Sequence, residues 1–438
     1  MNESTTRRIK IRTAASAVER EPLAHPFGFK GGSLSELWQT AVQLSSEGGF
    51  AGLGLGTQSV LWSDASVFAG RGEAEGNSLM YALTRRALQL LEGHSFADPP
   101  GLLDDLFEEL YSYGKVLTGN PQLRKTFILN ALVAVDNAAW LLYARENGLG
   151  SFDEMVPPQY RPALSSRHDS ITCIPVAGYG ISREEIRQLA KEGYFFIKIK
   201  IGHPGTHQEM LEKDKLHLAA IHQELGGFST PATATGKILY YLDANGRYES
   251  KELLERFLDH ARQIGASGQI ALVEEPFPAE YEADVSGLEV RIAADESAHT
   301  DSDALARIQM GYRAIALKAV AKTLSMTLKI AKLAHERNVP CFCADLTANP
   351  VLLEWNKNIA ARLAPFPGLE GGLLETNGQQ NYGNWDRLRS YSPFGEAPWT
   401  RVRQGKFELR EDYYRASGGI YGPSPHYEDL VNSASDER

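Results

Sequence analysis

Eight short apolar runs, each followed by a polar cluster, constrain the fold of this chain more than any other feature. They occupy residues 171–177, 195–201, 238–242, 270–273, 290–294, 314–317, 339–343 and 372–374. Segments with helical spacing, such as 249–264 and 324–337, lie between them. This alternation predicts parallel strands joined by crossover helices, and eight such units suit a parallel (β/α) barrel. A doubly wound sheet is the alternative, weakened because no Gly-rich phosphate turn follows the first strand.

The preceding chain has a different pattern. Residues 9–68 read as strands and loops, and the turn-rich His25-Pro26-Phe27-Gly28-Phe29-Lys30-Gly31-Gly32 is the stretch with most conformational freedom. Gly52, Gly54 and Gly56 alternate with Leu53 and Leu55, as in a strand that passes close to other backbone. Helices are predicted over 78–92 and 102–115, with the longest over 121–147. Pro121 suits the first turn of that helix and Gly148 the position past its end. A Pro-rich link at 156–162 separates the two patterns, and beyond Pro393 the chain turns aromatic- and Gly-rich. The predicted organisation is an N-terminal α+β domain (1–165), a barrel (166–392) and a C-terminal segment (393–438) that returns to the first domain.

Composition narrows the function. Lys+Arg 45 against Asp+Glu 55 leaves a formal charge of −10, which argues against general affinity for nucleic acid or anionic lipid. Three cysteines, Cys173, Cys341 and Cys343, provide no disulfide framework and read as small buried hydrophobes. No apolar segment follows the basic start at Arg7–Arg12, and no run approaches bilayer length. A cytoplasmic protein with a small-molecule partner is expected, and the sequence leaves room for a homo-oligomer.

The chemistry concentrates at the predicted strand ends. In Phe196-Ile197-Lys198-Ile199-Lys200-Ile201 the isoleucines share one parity and the lysines the other. With isoleucines toward the helices, Lys198 and Lys200 face the barrel interior; the alternative is a surface strand with exposed lysines. Buried ammonium groups need nearby anions. These follow as Asp243 with Asn245, Glu274-Glu275-Pro276 and Asp295-Glu296-Ser297, on three consecutive strands. Each acid alone could cap a helix or hold an ion pair. Together they form an oxygen-only ligand set for a hard cation, with Mg²⁺ favoured over Ca²⁺ or Zn²⁺. Lys318 ends the sixth strand, across the mouth from Lys200, and Lys322 is expected in solvent one turn later.

In this order and spacing, the Lys-x-Lys, Asp-Ala-Asn, Glu-Glu-Pro and Asp-Glu-Ser elements and Lys318 resemble the enolase superfamily. The resemblance is to the muconate-lactonizing-enzyme-like branch of the mandelate racemase/muconate lactonizing proteins. The segment Ala134–Trp140 is similar to the end of that family's capping domain. The resemblance implies a (β/α)7β TIM-like barrel under an N-terminal α+β capping domain completed by the C-terminal segment. It also implies Mg²⁺ on Asp243, Glu274 and Asp295. Lys200 and Lys318 become an acid/base pair, Lys198 orients or polarises the substrate carboxylate, and Asn245 and Glu296 stand behind the ligands. The seventh strand lacks the histidine of the mandelate-racemase type. Dipeptide epimerases of the branch carry an Asp-x-Asp at the eighth strand, where this chain has Glu375-Thr376-Asn377. Substrate contacts are expected from Phe27, Phe29, Lys30 and Trp62 on the capping side and from Asp345, Glu375 and Asn377 on the barrel. His203 and His299 are not expected to be ligands.

The implied activity is removal of a proton α to a carboxylate, the enediolate being stabilised by metal and ammonium. Facing lysines favour racemisation or epimerisation. The same groups could support β-elimination or cycloisomerisation, and glycoside hydrolysis or a non-catalytic scaffold are more distant alternatives.

Overall fold

The computed structural model describes residues 8–282 and 284–436. Strands Ile9–Phe29, Gly32–Ser46 and Ala51–Gln58 run antiparallel, and Ser95–Phe96 completes a four-stranded sheet. Where the sequence predicts a loop over 25–32, the first two strands form a hairpin, pairing Phe27 with Leu34 and Phe29 with Gly32. Only Lys30 and Gly31 turn, both at positive φ (51° and 77°), as required by a two-residue turn that follows the twist of its strands. Phe29 and Leu34 are buried, so packing decides the conformation of a stretch whose composition suggests a loop.

The helices also depart from expectation. They begin at Val60–Ser63 and Ala65–Leu91, where strands and loops were predicted as far as residue 68. Asp64 caps the second by accepting from the Ser66 and Val67 amides. Glycines at 70, 72 and 76 mask its periodicity, and Gly72 (φ 77°) kinks it. The 27-residue element is therefore two helices that meet at Gly72. The helix predicted over 121–147 is two, Lys125–Ala131 and Val133–Glu146, bent by 49°. Pro121 precedes both in a turn, while Gly148 (φ 66°) follows the second as predicted. Among the described residues no single helix is long and apolar enough to cross a membrane. The bent pair is an internal layer, mostly buried.

The alternating glycines explain how that layer sits. A Cβ on Gly54 would lie 2.0 Å from the Ala134 carbonyl oxygen and 2.3 Å from the Ala138 nitrogen. Helix Val133–Glu146 therefore rests directly on the backbone of Ala51–Gln58. Gly54→Ala is expected to lower the unfolding free energy by about 3 kcal/mol through overpacking. Urea denaturation checks this, and an unchanged midpoint would show that the helix can retreat.

The same helix is tied to Leu324–Glu336 through Asp136, which accepts from the Ser325 amide (3.1 Å) and hydroxyl. Trp140 Nε1 donates to Ser325 Oγ (3.0 Å). Burial pushes the Asp136 carboxyl up to about 6, although the Ser325 bonds oppose the rise. A folded-state pKa above the ordinary carboxylate value means that the native state holds the proton more tightly. Stability is then lost as pH rises through about 4 to 6, by up to roughly 3 kcal/mol. Asp136→Asn should flatten this part of the stability–pH curve; coincident curves for the two proteins would refute the assignment.

Eight parallel strands follow, one within or overlapping each predicted run: Ser170–Ile174 continued by Val176–Ala177, then Phe196–Lys200, Leu239–Asp243, Ile270–Glu274, Ile292–Ala294, Ala314–Leu317, Cys341–Cys343 and Leu373–Glu375. Pro175, lacking an N–H, splits the first strand. Its first part pairs with Leu373–Glu375 and its second with Phe196–Lys200, which closes the barrel. Helices span the crossovers except between the fourth and fifth strands, where Pro276, Pro278 and Gly287 interrupt the chain and no helix forms among the described residues. Near the end of the chain, Val402–Arg403 and Lys406–Glu408 form a hairpin antiparallel to Ser170–Ile174. Helix Pro425–Asp436 packs against the first two strands of the N-terminal sheet.

Candidate active site

Strand parity builds the site. Phe196, Tyr241, Leu272, Ala293, Ala316 and Leu373 belong to one apolar cluster inside the barrel. Ile197, Ile199, Leu242, Val273 and Ile315 join the larger cluster under the helices. Two residues beyond an inward apolar position come Lys198, Asp243, Glu274, Asp295, Lys318 and Glu375, with Lys200 a further step along its strand. Each strand thus has an apolar floor and a charged end at the C-terminal mouth.

A small cavity lies at that mouth. Every site residue expected from the sequence lines it except Glu274, which is buried beneath, and Lys30. Leu34, Ser59, Leu346 and Thr347 also line it. Sequence reasoning missed these four because their place depends on how the N-terminal sheet and the loop after the seventh strand meet the barrel.

The charges form a dense network. Lys198 Nζ lies 2.8 Å from Asp243 Oδ2, 3.0 Å from Glu375 Oε2 and 3.4 Å from Glu274 Oε1. Lys200 Nζ donates to Asp243 Oδ2 (2.6 Å) and Asn245 Oδ1 (2.8 Å). Lys318 Nζ donates to Asp295 Oδ2 at 2.5 Å. Lys322, expected in solvent, is fully buried: its ammonium donates to the carbonyls of Asp295 (2.6 Å) and Ala298 (3.1 Å) and lies 3.2 Å from Asp295 Oδ1. Its small apolar neighbours Ala319, Val320 and Ala321 were the available signal, since they leave no polar face to carry it into water.

Electrostatic shifts follow from this crowding. Burial pushes the Glu274 carboxyl up to about 8; Lys198 opposes the rise, and Asp295 and Glu375 add to it. Burial also acts to raise Asp295, but Lys318 and Lys322 hold it below the ordinary carboxylate range. Glu296 is held well below that range, against burial, by Lys30, Lys318 and Lys200. Burial works against the ammonium of Lys198, yet Asp243, Glu274 and Glu375 keep it strongly protonated.

The N-terminal sheet and its following helix cover the mouth. The hairpin tip delivers Lys30, whose Nζ meets Glu296 Oε1 at 3.0 Å and donates to the Trp62 carbonyl (3.1 Å). Glu296 also accepts from Asn245 Nδ2 at 3.1 Å. Trp62 lays its ring 4.6 Å from Lys318 Nζ, and Phe29 lies 5.9 Å from Lys200 Nζ. Asp345 accepts from three backbone amides, those of Leu346 (2.7 Å), Ala348 (3.0 Å) and Asn377 (2.8 Å). Neither His203 nor His299 lines the cavity. His203 Nδ1 instead meets Asp214 (2.5 Å), which also accepts from the Gly202 amide and fixes the chain just beyond Lys200. All three cysteines are buried and free, as expected.

The acids fit a hard divalent cation. Glu274, Asp295 and Glu296 each offer an oxygen within 4.8 Å of the others. Glu296 Oε2 is buried without a hydrogen-bond partner among the described residues, and Glu274, raised chiefly by burial and further by Asp295 and Glu375, is a carboxyl that a cation would favour in its ionised form. Asp243, directly paired with Glu274 across adjacent strands, is the sequence-based third ligand. In this arrangement its Oδ2 is engaged by Lys198 and Lys200.

Residues 182–372 match the family described as Enolase C-terminal domain-like. By this match the barrel is an enolase-type C-terminal domain. The chain is an enzyme with an α/β barrel and a capping domain. It is 25% identical over 371 residues to a hydrophobic dipeptide epimerase of Citrifermentans bemidjiense, covering 82% of this chain and 88% of that one. An enolase-superfamily protein of Listeria innocua has the same fold (TM-score 0.64, 20% identity, 97% of each chain). So does a dipeptide epimerase of Enterococcus faecalis solved with Mg and L-Leu-L-Tyr (TM-score 0.58, 18% identity, 84% of this chain and 90% of that one).

Proposed function

We propose that this chain belongs to the enolase superfamily and is a Mg²⁺-dependent racemase or epimerase of the Lys/Lys type, acting at the α-carbon of a small carboxylate. The observation that carries this reading is the placement of Lys200 and Lys318 on the second and sixth of eight strands. They lie on opposite sides of one cavity, with the acid cluster between them. Asp243, Glu274 and Asp295 would hold the cation, and Glu296 and Asn245 would brace them. When bound, the cation supplies charge stabilisation for the enediolate.

The chain's own groups do the rest. One lysine removes the α-proton from one face and the other returns a proton to the opposite face. With Asp295 engaged by a cation, Lys318 would lose the partner that holds it protonated, which favours the neutral form needed by a base. Lys198, braced by Glu375, donates toward the substrate carboxylate. Residues 1–165 with 393–438 would cap the site on the 166–392 barrel and exclude water.

NMR in D2O tests this on a panel of N-acyl amino acids, dipeptides, hydroxy acids and acid sugars with Mg²⁺ present. Exchange of one compound's α-proton, abolished by chelator and accompanied by inverted product, is the expected result. An eliminated or cyclised product would replace the epimerase reading, and no exchange in a Mg²⁺-loaded enzyme saturated with any panel carboxylate would sink it.

A further inference from the structure

The two lysines that face each other across the mouth are mounted differently. Lys200 is the last residue of its strand, so the direction of its side chain depends on what holds the residues that follow. Every backbone N–H from Ile201 to His203 is bonded. Ile201 donates to the Asp243 carbonyl (2.9 Å), and Gly202 (2.8 Å) and His203 (3.2 Å) donate to the two carboxyl oxygens of Asp214. From the other side, the Tyr179 hydroxyl donates to the carbonyls of Ile201 and Gly202, both at 3.2 Å. Gly202 turns the chain at φ 84°, and a Cβ there would lie 2.8 Å from the Ala244 carbonyl oxygen. The turn is thus seated on the segment that follows Asp243.

Asp214 is the node of this mount. It lies on helix His207–Leu225, is fully buried and does not line the cavity. Besides the two amides, its Oδ1 meets His203 Nδ1 at 2.5 Å and its Oδ2 accepts from the Tyr248 hydroxyl at 2.8 Å. Lys318 is held by other means. Its carbonyl accepts from the Ala321 (2.9 Å) and Lys322 (2.7 Å) amides, so the short helix that it opens fixes it.

We infer that Asp214 is a positioning residue for Lys200. It sets where that lysine reaches, and through it the rate at one face of the substrate, while Lys318 and the opposite face do not depend on it. This rests on the two-lysine reading above.

Asp214→Asn is the decisive variant, because it keeps the side chain's shape while its amide nitrogen cannot accept. Tyr248 can reverse its hydroxyl and His203 can move its Nδ1 proton to the other ring nitrogen, but a backbone N–H has no such freedom. Whichever way the new amide points, Gly202 or His203 loses an acceptor. A crystal structure of the variant should show Lys200 Nζ withdrawn by about 1 Å or more from Asn245 Oδ1, now 2.8 Å away, with Lys318 in place. A misplacement of that size costs about 10²-fold in rate.

The kinetic readout is α-proton exchange in D2O with Mg²⁺, on both α-configurations of the N-acyl amino acids, dipeptides, hydroxy acids and acid sugars of the panel. In Asp214→Asn, exchange should fall about 10²-fold for the configuration lost in Lys200→Ala and by less than about twofold for the other. Tyr248→Phe removes a donor from the same carboxyl but keeps both backbone bonds, so it should leave the ratio of the two rates unchanged. Tyr179→Phe acts on the carbonyl side of the turn and should shift the ratio about fivefold in the direction of Asp214→Asn. It decides the matter if Asp214→Asn does not fold.

Equal losses at both faces would reduce Asp214 to a structural carboxyl, and an unmoved Lys200 with the wild-type ratio would equally overturn the inference. Wild type that exchanges no panel compound, or Lys200→Ala that leaves both faces intact, would count against the two-lysine reading alone. The place of Lys200 Nζ in the variant crystals would then decide the positioning.

Discussion

Lys200→Ala and Lys318→Ala should each lower turnover by about 10³-fold, within the range of a lost general acid or base. The informative result is stereochemical. With the two enantiomers of one substrate in D2O, wild-type enzyme should exchange the α-proton of both. Each single variant should retain exchange only for the enantiomer whose proton faces the surviving lysine. Folding should survive in both cases. Asp295 keeps Lys322 when Lys318 is removed, and Asp243 keeps Lys198 when Lys200 is removed. Full exchange of both enantiomers by Lys200→Ala would remove it as a base and leave the charge network without a reaction.

Removal of the metal should have the second large effect. Chelator should abolish turnover and added Mg²⁺ restore it, and Mg²⁺ should stabilise the fold by about 2.7 kcal/mol at 100 times its dissociation constant. Glu274→Gln and Asp295→Asn should lose both responses. Glu274→Gln has an opposite signature without metal. Its parent carboxyl is raised to about 8, so ionised Glu274 opposes folding, and the metal-free wild type loses stability as pH climbs from about 4.5 to 8. The variant removes that loss and should melt higher than metal-free wild type at pH 8. A lower melting temperature would show that Glu274 is a net stabilising ion-pair partner of Lys198 instead. Comparing Mg²⁺ affinity in Asp243→Asn and Glu296→Gln identifies the third ligand, since the two residues compete for that place.

Much of this architecture was legible in the chain itself because strand parity is a local property. The isoleucines of Phe196–Lys200 and its continuation mark the helix-facing side without reference to any other element, so Lys198 and Lys200 had to face inward. The same period of two placed Asp243, Glu274, Asp295 and Lys318. The alternating glycines at 52–56 likewise announced a close backbone contact, although not that Ala134 and Ala138 would make it.

The misreadings share one cause. The hairpin at 25–32 looked like a loop because its glycines and proline are local turn signals, while the burial of Phe29 and Leu34 depends on distant packing. Ala65–Leu91 was shortened because three glycines interrupt its pattern. Lys322 was placed in water because a lysine alone gives no sign of a buried partner, which Asp295 supplies from another strand.

By itself, the sequence determined which residue types stand at the strand ends and on which face, because side-chain direction repeats every two residues. Tertiary structure alone decided how those groups are engaged. Lys30 is brought to Glu296 by a hairpin, Asp345 is taken up by backbone amides, and Ser59, Trp62 and Asn377 keep polar atoms without partners among the described residues. The physical reason is that a buried charge or donor acts according to what surrounds it, and the surroundings come from segments far apart in the chain.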